Sequence, residues 1–222
     1  MTRSASLLTI LALLSAPGLA KEPVTPRAPW PGVVDATSLV PDLAVELKYA
    51  TPDNFAGKQL YHDLDACYLQ REVAAQLARA RDHLRARAPG LRFLAYDCLR
   101  PHRVQREMFA AVRGTPQESY VANPHKTTSM HSLGCAVDLT LAKGDGTPLD
   151  LGTPFDHLGR EAQPRHELTL LRQGRLTQEQ VANRLLLREV MVRAGFVPLN
   201  NEWWHFNCAV PGEAHRRYRR VE

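Results

Sequence analysis

Residues 129–141 read SMHSLGCAVDLTL and combine a histidine, a glycine and an aspartate with an apolar, strand-like run. Side chains in a strand point alternately to its two faces, so the valine and the leucines of this run can anchor it while Asp138 faces a cleft. A buried carboxylate without a partner is costly. The stretch therefore predicts a strand on which Asp138 binds a cation.

Zinc is the natural candidate for that cation. Catalytic zinc sites take three protein ligands, commonly histidines and carboxylates, and leave a fourth position for water. His131 lies on the loop before the strand, and His205 in the later stretch EWWHF is the expected third ligand. The arrangement differs from HExxH, in which both histidines share one helix face. We expect one Zn²⁺ per chain.

The first twenty residues have the features of a secretory signal. Arg3 supplies a positive start, LLTILALLSA an apolar stretch, and GLA a small-residue cleavage site that ends at Ala20. The apolar run is well short of the roughly 20 residues that span a bilayer. We therefore predict a cleaved signal peptide at residues 1–20, no stable membrane anchor, and a periplasmic or secreted protein.

In an oxidising compartment, an even number of cysteines favours disulfides over thiolate metal ligands. The chain has four, at Cys67, Cys98, Cys135 and Cys208. Three pairings are possible. If the strands of Asp138 and His205 are antiparallel neighbours with these two residues opposite each other, the same register places the third cysteine opposite the fourth. We therefore favour pairing of the first two cysteines and of the last two.

Hydrophobic periodicity predicts a single α+β domain at residues 33–222, after a proline-rich leader at residues 21–32. Thr177 and Gln180 form a capping box at the start of the clearest helix. No repeat or domain boundary is visible. The strands are expected at 42–50, 91–97, 136–141 and 201–210, and the helices at 69–88, 102–112 and 177–195.

The composition is that of a globular protein with one sizeable core: 222 residues, 44% of them hydrophobic and 23% charged. The formal net charge is +5, but only the terminal stretch HRRYRR concentrates basic residues. A nucleic-acid-binding protein would carry a basic stripe with interleaved aromatic residues. We predict no nucleic-acid partner, and no feature indicates an oligomeric state.

SMHSLGCAVD and EWWHF together resemble the zinc D-alanyl-D-alanine dipeptidase family, the D,D-peptidases of the vancomycin-resistance type, whose pattern is SxHxxGxAxD followed far downstream by ExWH. The resemblance continues through ELKYATPDNFAG, YDCLRPHRVQ, GTPFDHLG and NRLLLREVMVRAGF, and it covers nearly all of the mature chain. It implies a small antiparallel sheet flanked by helices, with the metal site in a central cleft.

The resemblance also implies roles for individual residues. Zinc is assigned to His131, Asp138 and His205. Glu202 becomes the catalytic base, and Arg100 stabilises the tetrahedral intermediate. The residues implied to bind substrate are Tyr49, Asp97, Ser129 and Asp156.

Glu202 precedes His205 by three residues, and residues at that spacing face opposite sides of a regular strand. If both serve one site, the chain must bulge or turn between them, or Glu202 must precede the strand.

Two positions depart from the family pattern. Leu99 stands where an aromatic residue often precedes the arginine, and Cys135 replaces a small residue after the motif glycine. Neither change removes a catalytic group, but both could reshape the pocket.

The predicted function is zinc-dependent hydrolysis of the D-alanyl-D-alanine dipeptide to free D-alanine. The alternative is a D,D-carboxypeptidase or endopeptidase that acts on longer peptidoglycan stem peptides, because the same zinc ligands serve both reactions. A zinc-stabilised binding module without catalysis is a third hypothesis, but it would need neither Glu202 nor Arg100.

Overall fold

A five-stranded sheet with helices packed against it positions the residues singled out above. The computed structural model of the protein describes residues 30–222, so the predicted signal peptide and most of the proline-rich leader lie outside the described residues. The strands are β1 (Val33–Asp35), β2 (Ala44–Val45), β3 (Tyr68–Gln70), β4 (Leu91–Asp97), β5 (Ala136–Lys143), β6 (Val197–Pro198) and β7 (His205–Asn207). The helices are α1 (Arg71–Arg87), α2 (His102–Val112), α3 (Glu167–Arg172), α4 (Gln178–Arg193) and α5 (Pro211–Arg217).

The main sheet has the strand order β2-β4-β5-β7-β6, and β1 pairs with β3 in a separate antiparallel ribbon. Within the main sheet every neighbouring pair is antiparallel except β2 with β4, which is parallel. The predicted α+β class is confirmed.

Helices α1 and α4 pack against each other and cover one face of the sheet. That face carries Val137, Leu139 and Leu141 of β5, all fully buried. A fully buried leucine or valine stabilises the fold by about 1.5–3 kcal/mol. The helix residues that meet this face are Val73, Leu77, Leu84, Leu187 and Met191. The opposite face of β5 carries Asp138, which lines the cavity described below.

The predicted helices and central strands agree closely with the structure. Thr177 and Gln180 form the predicted capping box, since each side chain bonds the backbone N–H of the other. The chain reverses after α4 at Gly195, whose φ of +94° lies in the region that favours glycine.

Two predicted strands are longer than the observed ones: 42–50, which contains β2, and 201–210, which contains β7. The strand expected at 42–50 ends at Val45, where Glu46 N donates to Ala95 O of β4 at 2.9 Å, and a turn at Lys48–Ala50 follows. That turn places Tyr49 in the core with 2% exposure. Alternation of apolar residues predicts which side chains are buried, but it does not predict how many residues pair with a neighbouring strand.

The disulfides join Cys67 to Cys98 and Cys135 to Cys208, as predicted. The assumed register behind the second pairing is also confirmed, because Asp138 lies opposite His205 in an antiparallel ladder between β5 and β7. Within residues 30–222, no helix combines the length and the apolar character needed to cross a membrane.

Candidate metal centre and active site

Three potential metal ligands converge on one point. His131 Nε2 lies 3.1 Å from His205 Nδ1 and 3.4 Å from Asp138 Oδ1, and the last two atoms are 2.9 Å apart. A tetrahedral zinc ion with bonds of about 2.0–2.1 Å separates its ligand atoms by about 3.3–3.4 Å. Small movements would let one divalent ion contact all three residues, which are buried.

Hydrogen bonds at the far side of each imidazole orient these ligands. His131 Nδ1 lies 2.7 Å from the carbonyl oxygen of Cys98, and His205 Nε2 lies 2.8 Å from Asn207 Oδ1. Both partners are acceptors, so these nitrogens carry the protons and donate. The lone pairs of the other two nitrogens therefore point at each other and at the Asp138 carboxylate. Three acceptors that face one another repel unless a cation lies between them. The three side chains are therefore suited to bind a metal ion.

Local backbone structure sets the three positions. Asp138 and His205 share a face because they are paired across β5 and β7. His131 opens a tight turn that ends at Gly134, which has a φ of +63° and whose N–H donates to His131 O. A side chain at this glycine would also approach Gln70 N to 3.3 Å. This close turn places His131 beside the strand it precedes.

The three potential metal ligands form one wall of a cavity of about 260 Å³. That volume suits a ligand smaller than a typical drug molecule, whose pockets measure about 300–1,000 Å³. The predicted site residues that line the cavity are Tyr49, Arg100, Ser129, His131, Asp138, Asp156, Glu202 and His205. Asp97 does not line it and lies fully buried behind Arg100.

Glu202 precedes β7, which begins at His205, and its side chain is buried in the cavity wall. The second of the two predicted arrangements is therefore the observed one. Burial raises the pKa of Glu202 to about 7. The nearby carboxylates of Asp138 and Asp156 also raise this pKa, whereas His205 lowers it. A carboxyl group with a pKa near neutrality can both accept and release a proton, as a general acid or base must.

Arg100 is held from behind and leaves donors for the cavity. Its Nε and Nη2 donate to Asp97 Oδ2 at 3.0 and 2.5 Å, and its Nη1 donates to Gln105 Oε1 at 2.9 Å. A guanidinium has five N–H groups, so two remain. Nη2 also lies 3.8 Å from Asp138 Oδ2, and the Tyr49 ring lies beneath the guanidinium at 5.2 Å. The ion pair with Asp97 thus fixes Arg100 beside the three potential metal ligands.

Asp156 lies across the cavity in an unusual backbone conformation. Its φ is +61°, which is uncommon for residues other than glycine and is often found at functional sites. Its carboxylate accepts hydrogen bonds from Tyr49 OH at 2.9 Å and from Phe55 N at 3.4 Å. Burial raises the pKa of Asp156 to about 7. Burial also raises the pKa of Tyr49, so its hydroxyl remains protonated and donates.

Comparison with known proteins identifies the family. A model of the peptidase M15 family, described as D-ala-D-ala dipeptidase, matches residues 31–221. The chain belongs to this family. It is therefore an enzyme, a metallopeptidase.

Individual D-ala-D-ala dipeptidase family members are similar over most of their length. The D-alanyl-D-alanine dipeptidase of Escherichia coli (strain K12) is 36% identical over 174 residues, which cover 78% of this chain and 83% of that protein. The D-alanyl-D-alanine dipeptidase of Enterococcus faecium is 30% identical over 178 residues (72% and 83%), and that of Streptomyces coelicolor is 30% identical over 193 residues (76% and 87%).

Three buried residues support this M15 site but escaped sequence reasoning. Asn207 orients His205, Gln105 holds Arg100, and Tyr61 donates to Asp97 Oδ1 at 2.6 Å. Asn207 lies two residues after His205 on one strand and so shares its face, a spacing that could have identified it. Nothing comparable marks Tyr61, which is 36 residues from its partner.

The two departures from the family pattern lie outside the cavity. Leu99 is buried among apolar side chains, and Cys135 is fully buried in its disulfide. Neither residue is among those that line the cavity.

Proposed function

We propose that this metallopeptidase hydrolyses the D-alanyl-D-alanine dipeptide to free D-alanine, with zinc as its metal. The observation that carries this proposal is the presence of Glu202, Arg100 and the three-ligand cluster in the walls of one small cavity. A site that only stabilised the fold would use a fourth protein ligand and would need no buried acid beside it.

Zinc bound by the cluster supplies Lewis-acid chemistry, because it polarises a carbonyl group and lowers the pKa of a bound water. Glu202 accepts a proton from the attacking water and later donates it to the departing amino group. Burial raises the pKa of Glu202, which favours its proton-bound form as the donor in the second step. Arg100 offers its two remaining N–H groups to the oxyanion of the tetrahedral intermediate.

The substrate carries a free ammonium at one end and a free carboxylate at the other. Asp156 lines the cavity and can accept the ammonium, whereas Asp97, the other carboxylate considered for that role, is already occupied by Arg100 and Tyr61. Ser129 is the candidate for the carboxylate end, on the basis of the family resemblance. A carboxylate that binds the free amino end favours dipeptides over longer peptides.

A panel of substrates tests the proposal. Purified protein is incubated with D-Ala-D-Ala and, separately, with an intact stem pentapeptide, each with and without a chelator and with Zn²⁺ added back. We expect cleavage of the dipeptide alone, loss of activity with chelator, and recovery with zinc. Cleavage of only the pentapeptide would favour the alternative, a D,D-carboxypeptidase or endopeptidase. Full activity without metal would exclude the mechanism.

We also propose that the enzyme works in the periplasm or outside the cell. The signal-like residues 1–20 and two buried disulfides support this location, since disulfides persist in oxidising compartments. Fractionation of cells that express the full chain tests it, and an uncleaved protein in the cytoplasm would contradict it.

A further inference from the structure

Both disulfides join backbone segments that hold the metal ligands. Cys98 follows β4 directly, and its carbonyl oxygen accepts the hydrogen bond from His131 Nδ1 at 2.7 Å. Cys135 directly precedes β5, and Cys208 directly follows β7. The disulfides are therefore close in the chain to all three ligands, although no cysteine lines the cavity.

The first disulfide anchors a segment that has no regular secondary structure. Residues 98–101 link β4 to α2 and form neither strand nor helix. Backbone bonds from Leu99 N to Tyr68 O and from Arg100 N to His131 O hold them, together with the link from Cys98 to Cys67. Without that link, the carbonyl oxygen that orients His131 would rest on a much less constrained segment.

The second disulfide closes a very short ladder. Strand β7 has three residues, and its pairing with β5 runs from Asp138 and His205 at one end to Ala136 and Asn207 at the other. Directly beyond that second end, Cys208 N donates to Cys135 O at 2.7 Å, beside the disulfide. Three residues are at the short end of the usual range for strands. The covalent bond therefore limits fraying of the strand that carries His205.

We propose that the two disulfides position the metal ligands, so that their loss lowers the affinity for zinc by more than a general loss of stability would. This inference rests on the proposed metal centre. The cysteines act as positioning residues through the Cys98 carbonyl and through the register of β5 and β7. Losing a partner that orients a metal ligand typically costs 10- to 100-fold in metal affinity.

The test compares zinc affinities of folded proteins by competition with a chromophoric chelator. The variants are the double substitutions Cys67→Ala with Cys98→Ala, and Cys135→Ala with Cys208→Ala. The control is Leu84→Ala, which opens a cavity under α1 in the helix-covered core, away from the site. We expect each double variant to bind zinc at least about tenfold more weakly than the parent, and the control to stay within about threefold. Double variants that bind as tightly as the parent would overturn the proposal.

A second measurement covers the case in which a double variant does not fold. Zinc-loaded parent protein is treated with a phosphine reductant, and released zinc, free thiols and far-ultraviolet circular dichroism are followed together. Zinc release in step with thiol formation, at unchanged circular dichroism, supports the proposal. Zinc retention by reduced protein, or zinc loss only together with the helical signal, contradicts it. If the parent itself bound no zinc, the proposed function would fail instead.

Discussion

Asp138 Oδ1 lies 2.9 Å from His205 Nδ1 because the two residues are directly opposite each other on antiparallel strands. Burial raises the pKa of Asp138, but protons on the adjacent imidazoles of His131 and His205, or a cation bound in their place, hold that pKa well below its ordinary value. The carboxylate is therefore ionised across the neutral range. A local feature of the sheet thus brings two of the three candidate metal ligands together, one of them as an ionised carboxylate.

Replacing Glu202 should separate catalysis from metal binding. Glu202→Gln keeps the shape of the side chain but removes the group that moves a proton, so we expect turnover to fall by about 10²- to 10⁴-fold. Zinc content, measured by elemental analysis, should stay at the parent value. Glu179→Gln on the exposed side of α4 is the matched control and should remain fully active. Near-parental turnover in Glu202→Gln would remove this residue from the mechanism.

Replacing Arg100 by lysine should not preserve activity. An ammonium cannot donate from three nitrogens to Asp97, Gln105 and an oxyanion in the geometry of the guanidinium. Loss of one oxyanion donor costs about 2.7–4 kcal/mol in the transition state, so steady-state kinetics should show a drop in kcat of about 10²- to 10³-fold.

The control for this change is Arg103→Lys, a partly exposed residue in the first turn of α2. Thermal unfolding must accompany the kinetics, because weakening the partner of the buried Asp97 also destabilises the fold. If Arg100→Lys keeps parental kcat, the side chain serves only to neutralise Asp97.

Removing the acceptor behind His205 should weaken metal binding. In Asn207→Ala, His205 Nε2 loses its hydrogen-bond partner and the imidazole is free to rotate. We expect the affinity for zinc to fall by about 10- to 100-fold in chelator competition. Asn207→Asp retains an oxygen acceptor and should bind zinc far more tightly than the alanine variant. Equal affinities for the two variants would show that Asn207 does not orient the ligand.

Asp156 should make the metal-free protein less stable as the pH rises. Its pKa of about 7 in the folded protein exceeds the ordinary value of 3.8, so the folded state binds more protons than the unfolded state between these values. Stability therefore falls as the pH increases through this window, by on the order of 2 kcal/mol for a partly exposed group. The charged groups that influence it are Asp138, Glu202 and Arg100.

Urea denaturation of metal-free protein at pH 5 and pH 8 measures this slope. The variant Asp156→Asn cannot titrate, so its free energy of unfolding should fall less between the two pH values than that of the parent. Comparing the slopes of parent and variant cancels the contributions of groups that titrate alike in both proteins. An unchanged slope would contradict the raised pKa.

Local sequence patterns were sufficient for the elements that are long and regularly patterned. Helix α2 begins and ends at the predicted residues, and the capping box locates the start of α4. Strand β7 was predicted too long because its three residues are defined by pairing with β5, which adjacent sequence does not encode.

Sequence by itself determined that Asp138 lies on the polar side of an apolar strand, and it predicted His131, Asp138 and His205 as metal ligands and, through the family resemblance, Glu202 as the acid beside them. Only the tertiary structure decided how these groups are supported. The tertiary fold brings three supporting groups to the site: the Cys98 carbonyl, Gln105 and Tyr61. Hydrophobic periodicity in the sequence does not predict these contacts. The raised pKa of Glu202 depends likewise on burial by distant segments, because desolvation is a property of the folded surroundings and not of the local sequence.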